Sequence, residues 1–476
     1  MSFLRESIIQ PPITLSSGIR AVQQRILPST GSGSYSASST SSGGQIIFRV
    51  EQQPQTFLDP QTLCLSGRVA FTNVGTVNTN QHVLLGNALS FFSTIRVRSN
   101  GTVIEDITNP GMLFSRLWDL TLSRSDKQAL SQMLLFDPIS PGANGVIINS
   151  NNSEGREGDT YNGMTDNTRF SFVIPLPGVI SALSSYFPLH SSSLEYEFVL
   201  DSPANYTRQF VTAAATTPTV TLSNLELVFQ SVRFEGAEFA QVMSNTPMQN
   251  GMIALKSSTW MYSSSVIPAS TGAGRLDLLY PVMAKSIKRI VMWSSPSDAP
   301  GRGFDGVNPN LSGLQLISGA TTFPLQPVQM DSPAYVAMEN SRSLSSLFSS
   351  SHTGCIHPSA FSRASTAFNE YYDAYNTTLA SFAVTVNAST SQLTLPAKDV
   401  SITQNKWVYI MDLESIPTGN REGILHGFTT RGNGSSVIRL QIASALPAVT
   451  HTFNTWSEID TTILISPNLF QTATDQ

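Results

Sequence analysis

Three donors of the kind that bind metals fall within one hexapeptide, His352, Cys355 and His357 in HTGCIH. A structural zinc takes four such ligands in tetrahedral geometry. No second His/Cys cluster lies nearby in sequence, so the run reads as a polar loop, and no metal or cofactor is expected. Asp412 and Glu414 end an apolar run with the spacing of a general acid/base pair; solvated charge at a loop edge is the reading preferred. Phe368, Tyr371, Tyr372 and Tyr375 mark one helical face together with Phe361 and Ala364. Such a face could stack nucleobases, but no Lys or Arg is interleaved between Phe368 and Tyr375, which favours packing against a core or a second subunit. Lys285, Lys288 and Arg289 form the densest basic cluster, either a solvated face or a contact to a charged partner. Neither a G-x-S-x-G elbow nor a phosphate-binding G-x-x-x-x-G-K-[ST] loop occurs, and the six histidines are scattered. No catalytic residues are assigned and no enzyme is expected.

The elements that would carry these residues follow from composition. The chain has 476 residues, enough for two or three domains. Charged residues make up 12%, against roughly a quarter in ordinary soluble domains. The polar surface therefore comes from Ser, Thr, Asn and Gln, which suit turns and strand faces better than helix interiors. With 31 Gly and 27 Pro punctuating the chain into short runs, an all-β protein with long loops is expected. A net charge of −5 argues against wrapping or specific binding of nucleic acid. Two cysteines, Cys64 and Cys355, make no disulfide framework. The N-terminus lacks a secretion signal's apolar core, and no apolar stretch is long enough to span a membrane.

Residues 1–44 stand apart and end in a Gly/Ser tract. Arg5, Arg20 and Arg25 against Glu6 give this stretch a net of +2, and it is read as a flexible arm with a role in assembly. From Gln45 strands begin: Ile95 and Val97 alternate with Arg96 and Arg98, and Asn100-Gly101 marks a hairpin. Pro110 opens a helix with Leu113, Leu117 and Leu120 on one face, and Ser125-Asp126-Lys127-Gln128 has the form of a capping box. After a polar loop the strands resume as FSFVIPLP, LEYEFVL and LSNLELVF. The second half repeats the plan and closes with KWVYIMDL, SVIRLQI and IDTTILI. A duplicated domain is the reading: 45–235, a connector over 236–252, 253–470, and a tail over 471–476.

Two stretches carry a family resemblance, FSFVIPLPGVISALSSYFPLHSSSLEYEFVLDSP and KWVYIMDLESIPTGNREGILHGFTT. In these and in its overall order the chain resembles the double jelly-roll major capsid proteins of double-stranded DNA viruses, the group of virophages, polinton-like viruses and adenovirus hexons. The resemblance covers nearly everything after residue 45. It implies two tandem eight-stranded jelly-roll sandwiches with short helices in the loops. It further implies a homotrimer that looks hexagonal and tiles an icosahedral shell in the virion, beside neighbouring capsomers, penton proteins and minor or cement proteins. Lys285, Lys288 and Arg289 would then be candidates for a capsid-interior contact. A trimeric spike or lectin-like binding protein is the alternative, and it would not require two equivalent sandwiches.

Overall fold

The computed structural model describes residues 19–31, 33–38, 44–72, 82–121, 147–148, 168–209, 218–246, 248–249, 251–297, 302–304, 306–330, 385–386, 393–394, 407–413, 427–432, 434–446, 449–466 and 471–475. Sixteen principal strands organise them. The first eight are β1 (Ile19–Ile26), β2 (Gln45–Val50), β3 (Thr56–Thr72), β4 (Phe92–Ser99), β5 (Thr102–Thr108), β6 (Thr168–Pro175), β7 (Leu194–Leu200) and β8 (Thr219–Phe234). The second eight are β9 (Met252–Ile267), β10 (Gly274–Tyr280), β11 (Ile287–Pro296), β12 (Leu311–Ser318), β13 (Thr321–Gln329), β14 (Tyr409–Asp412), β15 (Ser436–Ile442) and β16 (His451–Ser466).

The sheet orders give the architecture. In the first half they are β1-β8-β3-β6 and β2-β7-β4-β5; in the second, β9-β16-β11-β14 and β10-β15-β12-β13. Each second-half strand is the first-half strand eight places earlier. Every pairing within these sheets is antiparallel. The duplication is thus one of topology, and each unit is an eight-stranded jelly roll.

Period-two alternation builds the sandwiches. On β7, Tyr196 and Phe198 point into the core, where Phe198 packs edge-to-face on Phe48 of β2 at 5.7 Å between ring centroids. Glu195 and Glu197 take the opposite face, in register with Arg98 and Arg96 of β4. The β4–β5 hairpin turns where expected, with φ +47° at Asn100 and +80° at Gly101, the conformation a two-residue hairpin requires. The helix opened by Pro110, α1 (Pro110–Thr121), buries Leu113, Phe114 and Leu117. A second helix, α2 (Ala237–Asn245), follows the first sandwich and lays Phe239 and Val242 against Phe57, Tyr186, Val232 and Phe234. The segment beginning at Ser125 lies outside the described residues.

Two boundaries are corrected. The tail expected over 471–476 joins the second sandwich, for Gln471–Asp475 pairs with β16 from Ser466 opposite Gln471 to Thr462 opposite Asp475. The arm over 1–44 was expected to stay outside the fold, yet Ile19–Ile26 forms β1 and pairs residue by residue with β8, from Ile19 opposite Phe234 to Ile26 opposite Leu227. Ser34–Ala37 pairs with the first half of β8 and buries Tyr35 and Ala37. β1 escapes pattern reading because it buries almost no side chain: its residues are exposed or intermediate throughout. It is held by a backbone ladder, and it supplies the fourth strand that the sheet order requires.

The apolar core is continuous. One cluster runs from Tyr35 through Ile465 and takes in residues of both sandwiches. The reason is visible in β16, where Phe453 to Thr461 are all buried, whereas β8 alternates. On β16, Ser457 faces its own sandwich through a hydroxyl contact with Tyr280 of β10 at 2.5 Å, while Trp456 donates from Nε1 to the carbonyl of Thr108 in the first sandwich at 3.4 Å. Both faces of β16 are covered.

Candidate assembly surfaces

For a shell or oligomer, the functional surfaces are sheet edges and seams. One seam lies within the chain. β5 ends the sheet β2-β7-β4-β5, and its edge is covered by the second sandwich. Glu105 of β5 is fully buried there. Its Oε1 accepts from the amide of Val179 at 2.8 Å and from the hydroxyl of Thr259 on β9 at 2.9 Å. Burial pushes this carboxyl up to about 8, against the lowering effect of those two bonds, and neighbouring Asp106 adds to the rise. Oε2 is buried with no hydrogen-bond partner among the described residues, an arrangement that suits the protonated acid. Gly178 leaves room for it, because a Cβ there would meet Oε2 at 2.1 Å.

Around Glu105 the contacts across the seam are dense. Trp260 of β9 meets Phe114 of α1 edge-to-face at 6.2 Å. Ser257 donates its hydroxyl to the carbonyl of Val179. Arg116 of α1 donates from Nη2 to the carbonyl of Phe304 at 2.6 Å and sets its guanidinium 5.8 Å from the Trp293 ring. Trp293 in turn stacks on Trp456 at 4.2 Å. The two sandwiches are therefore locked by hydrogen bonds and aromatic packing.

Other edges stay open: among the described residues β1, β2, β6, β10, β13 and β14 end their sheets with no outer strand partner. Leu27, just past β1, is 67% exposed, and Leu325 of β13 is 87% exposed.

The expected basic sites are redistributed by the fold. Arg20 and Arg25 lie on β1 and face Glu235 at 3.8 Å and Glu226 at 3.7 Å, largely in solvent; Arg5 lies outside the described residues. Lys285, Lys288 and Arg289 do not make one patch. Lys285 is exposed, but Arg289 is buried and meets Glu458 of β16 at 2.6 Å, with Lys288 at 3.7 Å from the same carboxylate. Burial would raise the Glu458 carboxyl, but Arg289 and Lys288 outweigh it and hold it below its ordinary value. The expectation of an interior contact through this cluster is corrected for Arg289: it neutralises the chain's own buried carboxylate. Its position on β11 explains this, for both faces of that strand are covered.

A charged ladder also crosses the sheet β2-β7-β4-β5. Arg49 and Arg98 reach Glu195 at 3.0 and 2.8 Å, Arg98 and Arg96 reach Glu197 at 2.8 and 3.3 Å, and Arg96 reaches Asp106 at 2.9 Å. The equivalent sheet of the second sandwich keeps a smaller version, Arg439–Asp277–Arg275. Alternation showed these positions as outward-facing, but their pairing depends on register. His352, Cys355, His357, Phe368, Tyr371, Tyr372, Tyr375 and Glu414 lie outside the described residues, while Asp412 ends β14 opposite Arg289. Among the described residues no group of three or more His, Cys, Asp or Glu is placed to hold a metal, and no helix is long and apolar enough to cross a membrane. The seam residues Glu105, Thr259, Trp260 and Trp456 had no motif to mark them; the one signal was an acidic pair, Glu105-Asp106, interrupting a strand.

Comparison with known proteins gives no matching family model and no matching curated sequence. Solved structures do match. The PBCV-1 virus capsid superposes with a TM-score of 0.54 at 9% identity, over 98% of this chain and 99% of that one. The Sputnik virophage structure gives 0.53 at 14% identity, over 98% and 90%. The mavirus major capsid protein gives 0.52 at 12% identity, over 97% and 90%. At these identities the likeness is one of fold, and it spans both sandwiches.

Proposed function

We propose that this double jelly-roll chain is the major capsid protein of a double-stranded DNA virus, a structural subunit of the virion. The observation that carries the reading is the repetition of one eight-stranded topology in a single chain, matched over almost its full length to proteins described as virus capsids and a major capsid protein. Tandem sandwiches let three copies present six similar lobes to a shell lattice, and a closed threefold ring leaves no open-ended contact. The subunit acts by packing and carries no chemistry of its own. Its partners are further copies of itself in the trimer and neighbouring capsomers, with penton and minor or cement proteins completing the shell. A spike or lectin-like protein needs no second equivalent sandwich, and the duplication weighs against it.

Size-exclusion chromatography with light scattering tests this reading. A trimer stable at micromolar concentration is expected, and a stable monomer contradicts it. The assembly role of the arm is narrowed to the segment ahead of β1, which contains Arg5. Deleting residues 2–18 is expected to spare the trimer and impair shell formation; normal particles from that deletion would refute the role.

A further inference from the structure

Two edge strands meet within the chain, and their equivalents in the repeat are among the edges left without a strand partner in the described residues. Inside the chain, β5 of the first sandwich docks against β9 of the second. The second-sandwich equivalent of β5 is β13, and the first-sandwich equivalent of β9 is β1. Both are outer edges without strand partners among the described residues.

The register makes the equivalence residue-specific. β8 and β16 are each 16 residues long, and Glu226 and Glu458 are the eighth residue of each. Trp260 stands opposite Glu458 and packs on Phe114 in the seam. On the other sandwich, Ile26 stands opposite Leu227, which puts Leu27 at the place of Trp260. Trp260 is 6% exposed and Leu27 is 67% exposed.

β13 offers the complementary feature. Between its pairings of Leu316 with Phe323 and Leu314 with Val328, the residues Pro324-Leu325-Gln326-Pro327 face Gln315 alone. They bulge from the sheet edge, and Gln315 Nε2 steadies the bulge by donating to the carbonyls of Pro324 and Leu325, both at 3.2 Å. The two prolines leave fewer amides on an edge that would otherwise pair indiscriminately. The bulge presents Leu325, the most exposed large apolar side chain among the described residues.

We infer that the β13 bulge of one copy docks on the β1 edge of the next copy, with Leu325 against Leu27, so that the contact made once inside each chain is repeated between chains. The contact is head-to-tail, and three copies close it into a ring of six sandwiches in which internal and external seams alternate. This rests on the capsid-subunit reading above and names the surfaces through which its copies join.

The test uses the full-length protein and its dissociation constant measured by mass photometry or light scattering. Leu27→Lys and Leu325→Glu each place a charge in the proposed contact. Each is expected to weaken the trimer at least about tenfold, since an unpaired charge at a dry contact exceeds the roughly 1.4 kcal/mol that a factor of ten represents. The double variant pairs the new charges across the seam and is expected to recover most of the loss. Both sites are exposed in the single chain, so circular dichroism should be unchanged. Single variants that trimerise as well as the wild type, or a double variant no better than the singles, overturn the edge assignment while leaving a trimeric subunit intact. A wild-type chain that stays monomeric overturns the capsid reading itself.

Discussion

Glu226 and Glu458 hold the same place in two copies of one topology and have different physical lives. Glu226 pairs with Arg25 at 3.7 Å, with the arginine side chain 65% exposed. Glu458 pairs with Arg289 at 2.6 Å, and neither side chain is more than 5% exposed. Backbone position is common to both; the difference lies in what covers the outer face. The first sandwich and its helix α1 lie against the second sandwich's sheet, whereas on the outer face of β8 the helix α2 covers Val232 and Phe234 and leaves Glu226 partly in solvent. The comparison teaches that, in a tandem repeat, the seam decides whether a position carries a surface charge or a buried one.

Several substitutions sharpen or break this contrast. Trp456→Ala on the doubly covered strand removes a fully buried ring that stacks on Trp293, and a loss of about 3–5 kcal/mol is expected in urea denaturation. Gln230→Ala on the exposed face of β8 should stay within about 0.5 kcal/mol. Equal effects would mean that β16 is not covered on both faces.

Arg289→Met leaves Glu458 buried with Lys288 as its remaining cation and Ser258 as its remaining side-chain donor, and a loss of about 3 kcal/mol is expected. Arg25→Met at the equivalent exposed pair should lose less than about 1 kcal/mol. The acid side follows from sign. Glu458 titrates below its ordinary value in the fold, so its stabilisation is present above the unfolded carboxyl value and fades as pH falls through the lower folded one. A wild-type acid transition that Glu458→Gln leaves unaltered would contradict the pairing.

At the seam the sign reverses. Glu105 is raised to about 8 from 4.5, so the fold binds a proton that the unfolded chain releases. Its favourable contribution is complete below about pH 4.5 and is lost as pH rises towards 8. The wild-type protein is expected to lose on the order of 2–4 kcal/mol across that window. Glu105→Gln keeps an acceptor for Val179 and Thr259 and should flatten the profile. A variant with the wild-type slope would show that Glu105 is ionised in the seam. A small effect is also expected for Asp277→Asn, whose partners Arg275 and Arg439 are partly solvated; less than about 1 kcal/mol should be lost.

These contrasts also mark how far sequence reading reaches. Strands with one wet face were legible, because Glu195 and Glu197 alternate with Tyr196 and Phe198, and so was the Asn100-Gly101 turn. Strands at the two extremes were not. β1 buries too little to show a pattern, and it was read as part of a flexible arm. The first half of β16, HTFNTWSE, is polar enough to pass for a loop, yet it is buried. Its polar groups find partners across the sheet, with Tyr262 donating to Asn454 at 2.8 Å and Ser294 meeting His451 Nδ1 at 3.0 Å. The basic cluster misled for a related reason: at an irregularity in β11 both Lys288 and Arg289 turn to Glu458, and only the fold reveals that this side is covered. The seam and the open edges were invisible because they depend on how one sandwich sits beside the other.

Electron microscopy of the purified full-length protein reaches the central claim most directly. Two matched sandwiches per chain, joined three at a time, should give class averages with six lobes around a threefold axis. Particles with two lobes and no rotational symmetry, or rings whose lobes number other than six, would contradict it.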